Sequence, residues 1–122
     1  MMKFTMAHSS IAVKDVERSV EFYKKALGLK VKGNKDLPHI KLTYLVDGED
    51  SGYELEITLR KDHEGEYNLG ENPVHLAFWV DNYKEALAMH QAMGCVLRVV
   101  EPAGIYFIQD PDGYVTEIMP GL

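Results

Sequence analysis

The chain has little of several things, and each shortage excludes something. Cysteine occurs once, as Cys95, so no disulfide can form within the chain. Cys95 opens "GCVLRVV", which reads as the start of a buried strand, and a packed, unreactive thiol is expected there. Lysine and arginine number 13 against 19 aspartates and glutamates, a net charge of −6 without any basic run, which argues against nucleic acid or anionic lipid as partner. No apolar run approaches the roughly 18 residues needed to span a bilayer. The opening "MMKFTMAHSS" has no secretory pattern, so the cytoplasm is the expected location.

What the chain does have is the same sentence twice. "HSSIAVKDVERSVEFYKKALGLKV" (8–31) can be laid over "HLAFWVDNYKEALAMHQAMGCVLRVV" (75–100), and "GYELEI" (52–57) over "GYVTEI" (113–118). The leading histidines lie 75 − 8 = 67 positions apart and the glutamates 117 − 56 = 61, so the halves correspond with a few residues of slippage. Asp15 is suited to cap the first helix, in which Val16, Val20, Tyr23 and Leu27 recur at helical spacing. Asp81 or Asn82 can cap the second, with Tyr83, Leu87 and Met93 facing inward. Gly28 and Gly94 end them. Strand-like runs follow near 29–32, 40–46 and 53–60, and again near 96–100, 104–109 and 114–119, the last pair joined by "DPDG". The 122 residues thus read as one domain of two βαβββ modules, about 1–60 and 74–122, with a polar connector over about 60–73.

Strand alternation sorts the side chains. Ser9, Ile11 and Val13 form one face of the first strand, with His8, Ser10 and Ala12 on the other. Leu55, Ile57 and Leu59 oppose Glu54, Glu56, Thr58 and Arg60. Val74, Leu76, Phe78 and Val80 are expected to pack on the second helix, opposite His75, Ala77 and Trp79. If the two sheets face one another, His8, Glu56, His75 and Glu117 converge. Two carboxylates in a partly dry cleft repel unless a cation is present, and two imidazoles with two carboxylates suit a divalent ion such as Ni²⁺, Zn²⁺ or Co²⁺ with positions left open. His39, His63 and His90 have no counterpart in the repeat and read as structural or surface residues.

These segments, with the closing "DPDGYVTEIM", resemble the vicinal oxygen chelate superfamily and within it the short bacterial type of glyoxalase I (lactoylglutathione lyase). The resemblance implies an α+β fold in which two βαβββ modules form a half-open mixed β-barrel. It implies metal ligands at His8, Glu56, His75 and Glu117, nickel most often, and a homodimer whose shared site takes His8 and Glu56 from one chain and His75 and Glu117 from the other. The implied reaction isomerises the hemithioacetal of methylglyoxal and a thiol to an S-lactoyl thioester, with Glu117 shuttling the proton and Glu56 as second base. Ala12 and Arg60 stand where the usual bacterial enzyme has an arginine and an asparagine that grip glutathione. Arg60 can hold a carboxylate through its guanidinium fork or be a strand-end surface charge, and Trp79 can line the substrate cavity or fill the base of the cleft. The same fold also hosts epimerases, thiol transferases, dioxygenases and non-enzymatic binders; four protein ligands favour the lyase among them.

Overall fold

A computed structural model describes residues 2–122. The chain divides into two compact units, the first ending at Tyr67 and the second running Asn68–Leu122. The first contains β1 (His8–Ala12), α1 (Val16–Leu27), β2 (Lys30–Asp36), β3 (Ile40–Val46) and β4 (Glu54–Arg60). The second contains β5 (His75–Val80), α2 (Tyr83–Met93), β6 (Val96–Val100), β7 (Ile105–Gln109) and β8 (Val115–Pro120). Each unit is therefore βαβββ, and the class is α+β. Strand order is β1-β4-β3-β2 in one sheet and β5-β8-β7-β6 in the other. In each, the first strand lies parallel to the last, and the remaining pairs are antiparallel hairpins.

Local chemistry sets the helix limits. Asp15 accepts a hydrogen bond from the Arg18 amide at 3.1 Å, satisfying a donor that the first turn leaves open. Gly28 turns left-handed at φ 67°, and Leu29 then drops into the core, the apolar contact that often follows such a cap. Asn82 rather than Asp81 caps α2, accepting from the Glu85 amide at 3.2 Å and donating to the Glu85 carboxylate at 3.0 Å. Gly94 repeats the left-handed exit at φ 73°. Replacing Asp15 with alanine is expected to cost about 0.5–2 kcal/mol in chemical denaturation, because the carboxylate that accepts from the first-turn amide is lost.

Packing follows the expected stripes with instructive departures. In α1 the innermost residues are Ser19, Tyr23 and Ala26, with Val16, Val20 and Leu27 half-buried beside them. Ser19 and Ala26 are small and leave room for the fully buried Tyr23 ring between them. Ile11 and Val13 of the first segment, Leu55 and Ile57 of β4 and Leu45 of β3 complete that core. In α2 the buried residue is His90, whose Nδ1 lies 2.7 Å from the Tyr106 hydroxyl on β7. Burial raises the Tyr106 phenol well above its usual range, so it stays neutral and available to this bond.

Three sequence expectations shift. Val74 does not pack: it precedes β5 and is 78% exposed. β6 is not buried, since it is the outer strand of its sheet, with Leu97 and Val99 exposed. Cys95 just before it is half-buried, with Sγ 3.6 Å from the His90 carbonyl, and burial pushes its thiol pKa up, away from the reactive thiolate. β2 also runs on to Asp36 instead of stopping near residue 32, because a bulge between Val31 and Gly33 lets the hairpin with β3 continue. β6 carries the same irregularity between Val96 and Arg98.

Candidate functional site

Parallel pairing fixes where the site residues meet. On β1 and β4, Ser10 is paired with Glu56 and His8 with Glu54. On β5 and β8, Ala77 is paired with Glu117 and His75 with Val115. In both units, then, the histidine begins the first strand, and the glutamate is displaced by two residues from its register partner. A two-residue offset keeps both side chains on one face and lets them touch diagonally. His8 Nε2 stands 3.6 Å from Glu56 Oε2, and His75 Nε2 stands 3.0 Å from Glu117 Oε1. The histidines are partly exposed and the carboxylates mostly covered.

An aromatic ring backs each pair. Tyr44 on β3 is the register partner of Glu56, and Phe107 on β7 that of Glu117. Each ring meets its histidine edge-on, at 6.1 Å for His8 with Tyr44 and 5.5 Å for His75 with Phe107. Burial pushes the Glu56 carboxyl up, but hydrogen bonds from Tyr44, Ser10 and Thr58 and the neighbouring His8 outweigh it. The net displacement is below the ordinary carboxylate value.

The donor chemistry and spacing suit a divalent ion. Imidazole nitrogen and carboxylate oxygen each bind such ions at about 2.0–2.2 Å, so two of them on one ion lie about 3.0 Å apart at right angles and about 3.4 Å apart in a tetrahedron. The observed 3.0 and 3.6 Å fall close to those separations. Each pair supplies two donors, and among the described residues no third histidine, cysteine, aspartate or glutamate joins either.

The other expected site residues lie along the same strands. Arg60 ends β4 exposed, two alternations beyond Glu56. Trp79 is 60% exposed on the His75 side of β5, its ring alongside Gly121. His39 pairs with Asp62 at 3.2 Å, His63 stacks on Tyr67 and His90 is buried, so all three have structural or surface places. Glu54 pairs with Lys32. Two features escaped the sequence. Tyr44 stands opposite Glu56, joining Ser10 and Thr58, which alternation had already placed on that face, and Arg98 lies 4.7 Å over the Phe107 ring without an acidic partner among the described residues. The bulge between Val96 and Arg98 brings Arg98 opposite Phe107, where unbroken alternation would have put Leu97.

A family model for the glyoxalase/bleomycin resistance protein/dioxygenase superfamily matches residues 5–118, nearly the whole chain. The chain belongs to that superfamily. Among its glyoxalase relatives, the lactoylglutathione lyase of Neisseria meningitidis serogroup A is 34% identical, over 93% of this chain and 88% of the relative. The lactoylglutathione lyase of Escherichia coli O157:H7 is 33% identical over 93% of this chain and 90% of its own length. Among solved structures, the glyoxalase I of Leishmania major, described as trypanothione-dependent, superimposes with a TM-score of 0.86 at 32% identity. That match covers 97% of this chain and 87% of the other. Enzymes of the glyoxalase type generally use a divalent metal. Among the described residues no helix of this glyoxalase-family chain is long and apolar enough to cross a membrane.

Proposed function

We propose that the protein is a metal-dependent glyoxalase I-type lyase, converting the hemithioacetal of methylglyoxal and a thiol into an S-lactoyl thioester. The observation that carries this is the repeated His–Glu pair at one register, His8 with Glu56 and His75 with Glu117. The extent of identity to named lactoylglutathione lyases supports the same reaction. In the proposed homodimer, one chain supplies His8 and Glu56 and its partner supplies the second pair, giving two nitrogens and two oxygens for Ni²⁺, with Zn²⁺ or Co²⁺ as alternatives. An ion held there supplies Lewis-acid stabilisation of charge developing on the substrate's oxygens.

The chain's own residues move the proton. The reaction removes hydrogen from the carbon bearing sulfur and hydroxyl and delivers a proton to the neighbouring carbonyl carbon, while the hydroxyl proton is redistributed. No external oxidant or reductant enters. Glu117 is the proposed carrier and Glu56 the second base. Arg60 and Trp79 are the proposed substrate contacts, Arg60 offering its fork to a carboxylate of the thiol. The thiol is glutathione in the relatives' name, and the site of action is the cytoplasm, where thiols stay reduced.

Protein loaded with nickel or zinc is expected to form thioester from methylglyoxal with glutathione or another cellular thiol, followed by its ultraviolet absorbance. Stripping the ion with a chelator should abolish the signal, and adding it back should restore it. A metal-loaded sample that makes no thioester from any thiol tested would overturn the proposal.

A further inference from the structure

The two pairs share a register but not their surroundings. Three hydroxyls gather at Glu56: Ser10 across β1, Tyr44 across β3 and Thr58 two residues along β4. Thr58 Oγ1 donates to Glu56 Oε1 at 3.3 Å, Ser10 Oγ donates in turn to Thr58 Oγ1 at 2.8 Å and so orients that donor, and Tyr44 stands opposite Glu56 on β3, its phenol favouring the ionised carboxylate. At the three matching places around Glu117 stand Ala77, Phe107 and Met119. None of those side chains carries a donor. Among the described residues, the hydrogen-bond partner of the Glu117 side chain is His75.

We propose that Ser10, Tyr44 and Thr58 are positioning residues that fix the Glu56 carboxylate beside His8 before any ion arrives, making this pair the standing half of the metal site while Glu117 keeps freedom to turn. The inference rests on the metal-dependent function above. A carboxylate without such bonds samples several rotamers, and binding an ion must then order it at an entropic cost. Hydroxyl donors remove that cost in advance, in the way that outer partners of metal ligands hold them in place. The pinned ligand gives up mobility and the unpinned one keeps it. Freedom to rotate is what a group needs to receive hydrogen at one carbon and release it at the next. The comparison is clean because Tyr44 and Phe107 present equivalent rings to equivalent histidines, leaving the phenol oxygen as the difference between those two positions.

The test uses the full chain, freed of metal and titrated with Zn²⁺ and Ni²⁺ against a chromophoric chelator. Tyr44→Phe and Thr58→Val are each expected to weaken binding by about 10–100-fold, the usual cost of losing an outer partner. Thr58→Ser, which keeps the hydroxyl, should bind as the parent does. The metal-free proteins should melt together, since a merely structural role would move melting and not affinity. Phe107→Tyr, which adds the missing hydroxyl beside Glu117, should lower kcat without weakening the metal. Parental affinity in both Tyr44→Phe and Thr58→Val would overturn the positioning role alone. An unchanged kcat in Phe107→Tyr would overturn the assignment of mobility to Glu117. A parent that binds neither ion would overturn the metal-dependent function and this inference with it.

Discussion

Replacing Glu117 with glutamine is expected to lower kcat by about 10²–10⁴-fold with KM little changed, the range over which a positioned acid–base group acts. The amide keeps the shape of the side chain and its place on β8, yet it cannot hold a proton at neutral pH. It also remains able to offer an oxygen to an ion. His75 stays 3.0 Å from that position, and Phe107 and Ala77 still surround it, so little else should change. Metal content measured on the same sample separates a lost base from a lost ion. A variant carrying its full metal with kcat within about tenfold of the parent would remove Glu117 from the proton path.

Truncating Ile57 to alanine should cost about 2–5 kcal/mol in chemical denaturation, the usual penalty when a buried aliphatic side chain leaves a cavity. Ile57 is fully buried in β4, paired with Ile11 on β1 and Thr43 on β3, and its face of the strand carries the core beneath α1. Its immediate neighbours in sequence, Glu56 and Thr58, belong to the opposite face and to the site. One strand thus serves both the core and the chemistry. Leu97→Ala, on the exposed outer strand β6, is the control and should change stability by less than about 0.5 kcal/mol. Equal losses for the two variants would mean that β4 does not anchor its unit.

The repeat made most of the architecture legible. Caps at Asp15 and Asn82, exits at Gly28 and Gly94 and the alternation of β1, β4, β5 and β8 all follow from rules that act within a few residues. The His–Glu pairs were legible for the same reason, since a duplicated pattern marks positions that single residues would not. What was hidden depends on register between strands distant in sequence. Tyr44 is twelve residues before Glu56, and nothing local says that they face each other; the pairing of β3 with β4 decides it. His90 was expected as a structural or surface residue, but its partner, Tyr106 on β7, is sixteen residues away and lay beyond any local rule. Arg98 was obscured by a bulge, which breaks the period of two on which strand sorting relies.

The bulges at Val31/Gly33 and Val96/Arg98 both lie on outer strands, β2 and β6. An extra residue in one strand bends it and tightens the local right-handed twist, and it does so at equivalent places in the two units. Each outer strand is thereby turned away from the flat edge to which a foreign strand could add.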